Sequence, residues 1–326
     1  MPKKKNDPQA HGIKVSYPFW GIPTFLRADI CNDLNQLDAD IAVMGIPFDE
    51  GSPFKPGSRF APRSIREHSM RFGGSGLYDH NSNQTYLEKQ LNKKRIADIG
   101  DAPVVPTDVA GTFEKISKIA KQLFEKQIFL IAIGGDHSIS FPVVRAFKKP
   151  IHVIYFDAHL DYSPIADGYM YTNSHAFRHI KKMRHVLSLT QIGLRGLRVA
   201  RSHIVSSLED GCKIISIEKF RDIGPRGIMQ YLPQNEPCYV SIDIDVYDMS
   251  LVPGCVSAEP DGMDFKELRD ALSCVAEHCD VVGFDMVEVN PQLDVATGVT
   301  SYLAAYTIVE FLGNICNQPR WDKRYP

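Results

Sequence analysis

Three short segments concentrate the residue types that hold cations through oxygen and nitrogen. Gly134-Gly135-Asp136-His137-Ser138 offers a histidine behind a glycine pair. Asp157-Ala158-His159-Leu160-Asp161 and Ser241-Ile242-Asp243-Ile244-Asp245 offer carboxylates and an imidazole at intervals of two. Side chains alternate across a strand, so residues two apart share a face. If extended geometry persists past the strand end, Asp157, His159 and Asp161 converge, as do Asp243 and Asp245. Four aspartates brought together carry about −4, and like charges at contact distance cannot all stay ionised unaided. Two divalent cations would balance them. Carboxylate and imidazole donors suit manganese, iron, cobalt, nickel or zinc. Six donors exceed what one tetrahedral ion needs. The pattern therefore predicts a pair of divalent ions held by His137, Asp157, His159, Asp161, Asp243 and Asp245. Such a pair can hold a hydroxide at neutral pH and polarise a substrate.

Each segment alone has a plainer reading. A histidine at a strand end is usually a satisfied polar residue. An Asp-x-Asp pair can hold one magnesium or cap a helix. Gly-Gly-Asp is a turn, its glycines letting the chain bend sharply. Their joint occurrence after three apolar runs favours the metal pair. A fourth run, 281–287, leads to Glu288-Val289-Asn290-Pro291. Asp285 has the wrong parity to share a face with Glu288 and reads as structural. Glu288 would project beyond the strand and could receive a cationic substrate through paired hydrogen bonds.

The surrounding chain supplies elements fit to position these groups. Short runs rich in Val, Ile, Phe and Tyr occur at 41–46, 129–133, 152–156, 190–194, 213–217, 239–244 and 281–287, as expected of buried parallel strands. Helical periodicity covers 112–125, 265–278 and 301–315. Strands separated by helices imply βαβ crossovers, and no linker divides them. The expectation is one three-layer α/β domain over 36–326, preceded by a Pro-rich, aromatic arm at 1–35. In such sheets ligands bind beyond the carboxyl ends of the strands, where the three segments fall.

Composition narrows the function class. The chain has 326 residues, 44% hydrophobic and 23% charged, with formal net charge −2. That balance suggests neither a nucleic-acid nor a membrane-surface partner. Lys3-Lys4-Lys5 reads as a solvated tail without a following apolar run, so no signal peptide is expected. No stretch reaches the ~18 apolar residues of a membrane span, and a cytoplasmic protein is expected. The seven cysteines form no CxxC pair and read as reduced packing residues.

Taken together, the motifs resemble the ureohydrolases: arginase, agmatinase and related guanidino-acid hydrolases. The resemblance covers most of the chain and rests on the three segments above. Its agmatinase-like branch is suggested by Trp20-Gly21-Ile22-Pro23-Thr24-Phe25, by Gly45-Ile46-Pro47-Phe48-Asp49, by the segment 55–62 and by Glu288-Val289-Asn290-Pro291. The resemblance implies an αβα sandwich with a mainly parallel sheet and two ions, Mn2+ first and Ni2+ or Co2+ as alternatives. It implies that His137, Asp157, Asp161 and Asp243 bind one ion, and that Asp157, His159, Asp243 and Asp245 bind the other. Glu288 would anchor the guanidinium, and hydroxide attack on its carbon would release an amine and urea. A homo-oligomer, hexamer or trimer, is also implied.

Two loops depart from the family pattern. Many agmatinases carry His-Gly-x-x-Phe after the second segment, the histidine serving proton traffic. Here the residues are Asn173-Ser174-His175-Ala176-Phe177. Alignment on Phe177 puts Asn173 at the family position, whereas a local shift gives His175 the role. His175 is preferred, because proton shuttling needs a group that titrates near neutrality. The segment 248–262 also differs, which bears on substrate choice. Agmatine is the first expectation, with guanidinobutyrate, guanidinopropionate and guanidine as alternatives. A negatively charged tail would want a cation at the pocket mouth, for which Arg195, Arg178 and His175 are candidates. Two other readings remain: a one-zinc deacetylase of acetylated amines, and a non-catalytic subunit supporting a paralogous ureohydrolase.

Overall fold

The computed structural model describes residues 17–73, 76–80, 82–166 and 168–325. The lysines of the N-terminal tail lie outside them. From residue 17 the chain runs exposed, with Phe19 and Ile22 facing solvent, until Phe25 and Leu26 enter the core. The strands, in chain order, are β1 (Asp29–Ile30), β2 (Ile41–Ile46), β3 (Leu77–Asp79), β4 (Gln84–Tyr86), β5 (Ile96–Asp101) and β6 (Phe129–Gly134). They continue as β7 (Ile151–Phe156), β8 (Val186–Leu194), β9 (Lys213–Ser216), β10 (Pro237–Asp243) and β11 (Asp280–Val287). β3 and β4 form a small antiparallel hairpin.

The other nine make one sheet in the order β1-β5-β2-β6-β11-β10-β7-β8-β9. Every pairing recorded within it is parallel. Strand parity sorts its side chains onto two faces. Ile41, Val43, Phe129, Ile131, Ile154, Val240 and Ile242 pack on one side with Leu268, Leu272, Ile308 and Phe311 from the helices Phe265–His278 and Val299–Cys316. Ala42, Met44, Leu130, Val153, Tyr155 and Tyr239 pack on the other with Phe113, Ile116 and Leu123 from the helix Val109–Glu125. Helices on both faces give the expected three layers.

All seven expected strands are present; β1, β3, β4 and β5 were not foreseen, and of these β5 lies inside the sheet. Its sequence, Ile-Ala-Asp-Ile-Gly-Asp, breaks the apolar run with two aspartates. The structure explains the first: Asp98 is buried and takes the Arg66 guanidinium at two oxygens, 2.8 and 3.0 Å away. A paired buried charge of this kind is invisible to hydropathy. Val299–Cys316 corrects another expectation, because by length and composition alone it could cross a membrane. In the fold, 72% of it is buried, as befits a helix pressed on the sheet.

β10 and β11 come late in the chain, yet they insert between β6 and β7. The four strands that lead into His137, Glu288, Asp243 and Asp157 are therefore consecutive neighbours. With strands about 4.8 Å apart, the crossovers deliver all four motifs to one crevice.

Candidate metal centre

After β6 the chain turns tightly under the end of β2. Gly135 donates its N–H to Ile46 O (3.0 Å), and Asp136 N–H reaches Phe48 O (2.9 Å). A Cβ on Gly135 would lie 1.6 Å from Phe48 O. This glycine is required by close approach, not by the freedom to turn that the sequence suggested. Asp136 then caps a short 3-10 turn, accepting from Ser138 N at 2.9 Å, and His137 points inward from that turn.

The extended geometry expected past the strand ends is not what the structure shows. β7 stops at Phe156, the chain bends at Ala158 and His159, and Asp161 takes φ +44°. β10 stops at Asp243, and Asp245 lies in a 3-10 turn, its N–H held by Asp243 Oδ1 at 2.8 Å. The six side chains still converge. His137 Nδ1 has three carboxylate oxygens around it: Asp157 Oδ2 at 3.1 Å, Asp243 Oδ2 at 3.1 Å and Asp161 Oδ2 at 3.2 Å. His159 Nδ1 lies 2.9 Å from Asp245 Oδ2 and 3.6 Å from Asp157 Oδ1. Asp157 thus faces both imidazoles.

These contacts have the form of a donor shell. His137 and Asp157 are fully buried, yet His137 Nδ1 and Asp157 Oδ2 make no hydrogen bond among the described residues. Orphaned buried polar atoms are costly and need an explanation. Burial raises the Asp243 carboxyl well above its usual range, reinforced by Asp245 and Asp157. Burial and the Asp157 charge push Asp161 up to about 6. Burial opposes charge on His159, but Asp245 and Asp157 outweigh it and push the imidazole up to about 12. Without cations, protons must balance this charge; two divalent ions would replace them. The donor set fits such ions. Cys255 is a buried free thiol, and its sulfur lies within 4.8 Å of ligand atoms of Asp243 and Asp245. The sequence reading had given it only a packing role.

Supporting contacts orient the two histidines. His137 Nε2 meets Ser241 Oγ at 2.9 Å. Ser241 in turn donates to Asp285 Oδ1 (2.6 Å), whose Oδ2 accepts from Tyr239 (2.8 Å) and Ser140 (2.7 Å). Asp285 is structural, as its parity suggested, and it acts through His137. His159 Nε2 meets Glu259 Oε1 at 3.2 Å. Glu259 lies in the divergent 248–262 segment, and nothing in its spacing announced this contact.

A cavity of about 130 Å³ opens over the cluster, with His159, Asp161, Asp243, Asn173 and Glu288 in its walls. Glu288 is 2% exposed at φ +65°, a conformation that costs a non-glycine residue on the order of 1–3 kcal/mol and tends to gather at functional sites. Its Oε1 accepts from His137 N (2.9 Å) and Asn173 Nδ2 (3.1 Å). Burial, aided by Asp136, pushes its carboxyl up to about 8. His175 is not in these walls. Its Nδ1 meets Thr172 Oγ1 at 2.6 Å and its Nε2 meets Pro164 O at 3.2 Å. Asn173, not His175, faces the cavity, as the alignment on Phe177 had it.

The other two candidate tail partners are also committed elsewhere. Arg195 donates to the carbonyls of Pro260, Asp245, Tyr247 and Glu259. Arg178 holds Tyr162 O and Ser206 Oγ and lies over the Tyr162 ring. The walls also hold Arg198 and His203, which no sequence signal singled out.

A parallel sheet with carboxylates and imidazoles gathered at adjacent strand ends defines an α/β protein with a candidate two-metal centre. The chain belongs to the arginase family, whose model matches residues 39–313. It is similar to proclavaminate amidinohydrolase of Streptomyces clavuligerus, with 31% identity over 91% of this chain and 94% of that one. The solved structure of that relative superposes with a TM-score of 0.81 over 92% of this chain and 99% of the other. Guanidinopropionase of Pseudomonas aeruginosa is 29% identical (90% and 92% covered), and putative agmatinase 3 of Schizosaccharomyces pombe is 29% identical (92% and 81%). Relatives at similar distance thus come from several branches of the family, and the expected agmatinase branch does not stand apart.

Proposed function

We propose that this protein is a binuclear metal hydrolase that cleaves a small guanidino compound to an amine and urea. The reading is carried by the orphaned Nδ1 of His137 amid three carboxylate oxygens, beside a second imidazole–carboxylate group that shares Asp157. Family membership and the activities for which the relatives are named support it. His137, Asp157, Asp161 and Asp243 would hold one ion, and Asp157, His159, Asp243 and Asp245 the other. Two such ions supply a hydroxide at neutral pH and charge stabilisation for the transition state.

The chain's own residues orient the substrate. Glu288 Oε1 is occupied by His137 N–H and the Asn173 amide, which fixes the carboxylate plane. Its other oxygen is left to accept a charge-assisted hydrogen bond from a guanidinium N–H, which sets direction as well as affinity. Hydroxide from such a centre would add to the guanidinium carbon, and rupture of the bond to the substituted nitrogen, with the added hydroxyl's proton passing to that nitrogen, would give urea and the amine. Asn173 cannot carry a proton, so it positions Glu288 and does not titrate.

Urea release across a panel of guanidino compounds, after reconstitution with manganese, nickel, cobalt or zinc, tests the reading. Urea from at least one compound, with two ions bound per chain, is expected. No urea from any pairing would sink it. One bound ion per chain would favour the deacetylase-like alternative instead.

A further inference from the structure

We propose that the substrate carries a carboxylate at the end away from its guanidinium, and that Arg198 receives it. This inference rests on reading the site as a guanidino hydrolase. Glu288 follows β11, whereas Arg198 follows β8, three strands along the sheet. Three spacings amount to about 14 Å, across which the two side chains reach into one cavity. The carboxylates in its walls, Asp161, Asp243 and Glu288, belong to the metal and guanidinium end.

Arg198 has donors to spare. Its Nε bonds Glu259 Oε1 at 2.9 Å, and its Nη2 reaches Ser257 O at 3.0 Å and His159 Nε2 at 2.8 Å. Its Nη1 makes no hydrogen bond among the described residues, and the side chain is 61% exposed. His159 Nε2 is itself turned to Glu259 Oε1, 3.2 Å away, so it donates to that carboxylate and is not an acceptor for Nη2. The edge of the guanidinium that carries Nη1 is left for a ligand. Glu259 remains bound to His159 and does not line the cavity. Val199, Val256 and Phe54 supply apolar wall between the charged ends, suited to a short methylene chain.

An ammonium tail would therefore meet a guanidinium and His203 without a carboxylate of its own. A carboxylate tail would accept charge-assisted hydrogen bonds from Arg198. This substrate class differs from agmatine, which bears an amine.

The test compares 4-guanidinobutyrate with agmatine, similar in length and opposite in tail charge, on manganese-loaded full-length protein. Calorimetry reads binding, urea reads turnover, and elemental analysis reads metal content. The acid is expected to bind and turn over with at least about a 10-fold advantage in kcat/KM. Arg198→Gln should raise KM for the acid by about the same factor, leave kcat and metal content near their starting values, and not raise KM for agmatine; Arg198→Lys should restore part of the loss. Equal or better use of agmatine, or equal loss for both compounds, would overturn the carboxylate while leaving the hydrolase reading intact. Tight binding of the acid without urea would do the reverse. Binding of neither compound would overturn the inference outright.

Discussion

Asp243 shows how much of the cluster hangs on one side chain. Its Oδ2 lies 3.1 Å from His137 Nδ1, its Oδ1 fixes the Asp245 N–H, and it is 2% exposed. Asp243→Ala should therefore lose most of both ions, and urea release should fall by more than the ~100-fold that loss of even an outer hydrogen-bond partner can cause. Elemental analysis after manganese reconstitution checks it; two retained ions would remove Asp243 from the shared position. Glu259 offers a finer test, because it touches no proposed ion and acts through His159 Nε2. Glu259→Gln keeps an acceptor and drops the charge. Manganese affinity in equilibrium dialysis should weaken by about 10-fold, the low end for such partners. An unchanged affinity would make the contact incidental. At this scale the six clustered side chains were legible in the sequence as candidate donors, because their types and charge have few other uses together. Glu259 and Arg198 were not, since a lone charge in a loop carries no signal until the fold supplies its neighbours.

The elements deliver those donors differently from the way spacing implied. Period-two spacing at 157–161 and 243–245 suggested continued strand, yet the structure uses a bend with Asp161 in left-handed backbone and a 3-10 turn at Asp245. Aspartate tolerates that backbone better than most residues, and the Asp243 carboxylate holds the turn by accepting the Asp245 N–H. The motif is better understood as a strand end whose carboxylates fix their own loop. The β6 turn follows the same logic, with Gly135 stitched against Ile46 and Phe48. Gly135→Ala must move backbone, because its methyl would overlap Phe48 O. A thermal midpoint lower by several degrees is expected, from overpacking of about 1–3 kcal/mol, together with weaker manganese binding as His137 shifts. A variant with unchanged midpoint and metal content would show that the approach is looser than described. The apolar strands were readable by hydropathy; β5 was hidden by Asp98, whose burial makes sense only beside Arg66.

At the scale of the whole molecule, the late strands β10 and β11 close the gap between β6 and β7, bringing residues more than a hundred positions apart into one shell. Order in the chain does not reveal that insertion, so the sequence named the candidate ligands without showing how they meet. The arrangement ties metal binding to folding. The unfolded chain has no such shell, so ions that bind only the folded state add stability of RT ln(1 + [L]/Kd). At 100 times Kd each ion contributes about 2.7 kcal/mol. Two contribute about 5 kcal/mol, which for a chain of 326 residues corresponds to a rise in Tm of roughly 8 °C. Chelator-treated protein should therefore melt well below the manganese-loaded form, with Tm climbing as manganese is titrated back. Asp243→Ala should lie near the metal-free midpoint and respond little to added manganese. A wild-type Tm indifferent to manganese and to chelator would mean that the six side chains are held by their own hydrogen bonds and protons alone, and the proposed centre would have to be abandoned.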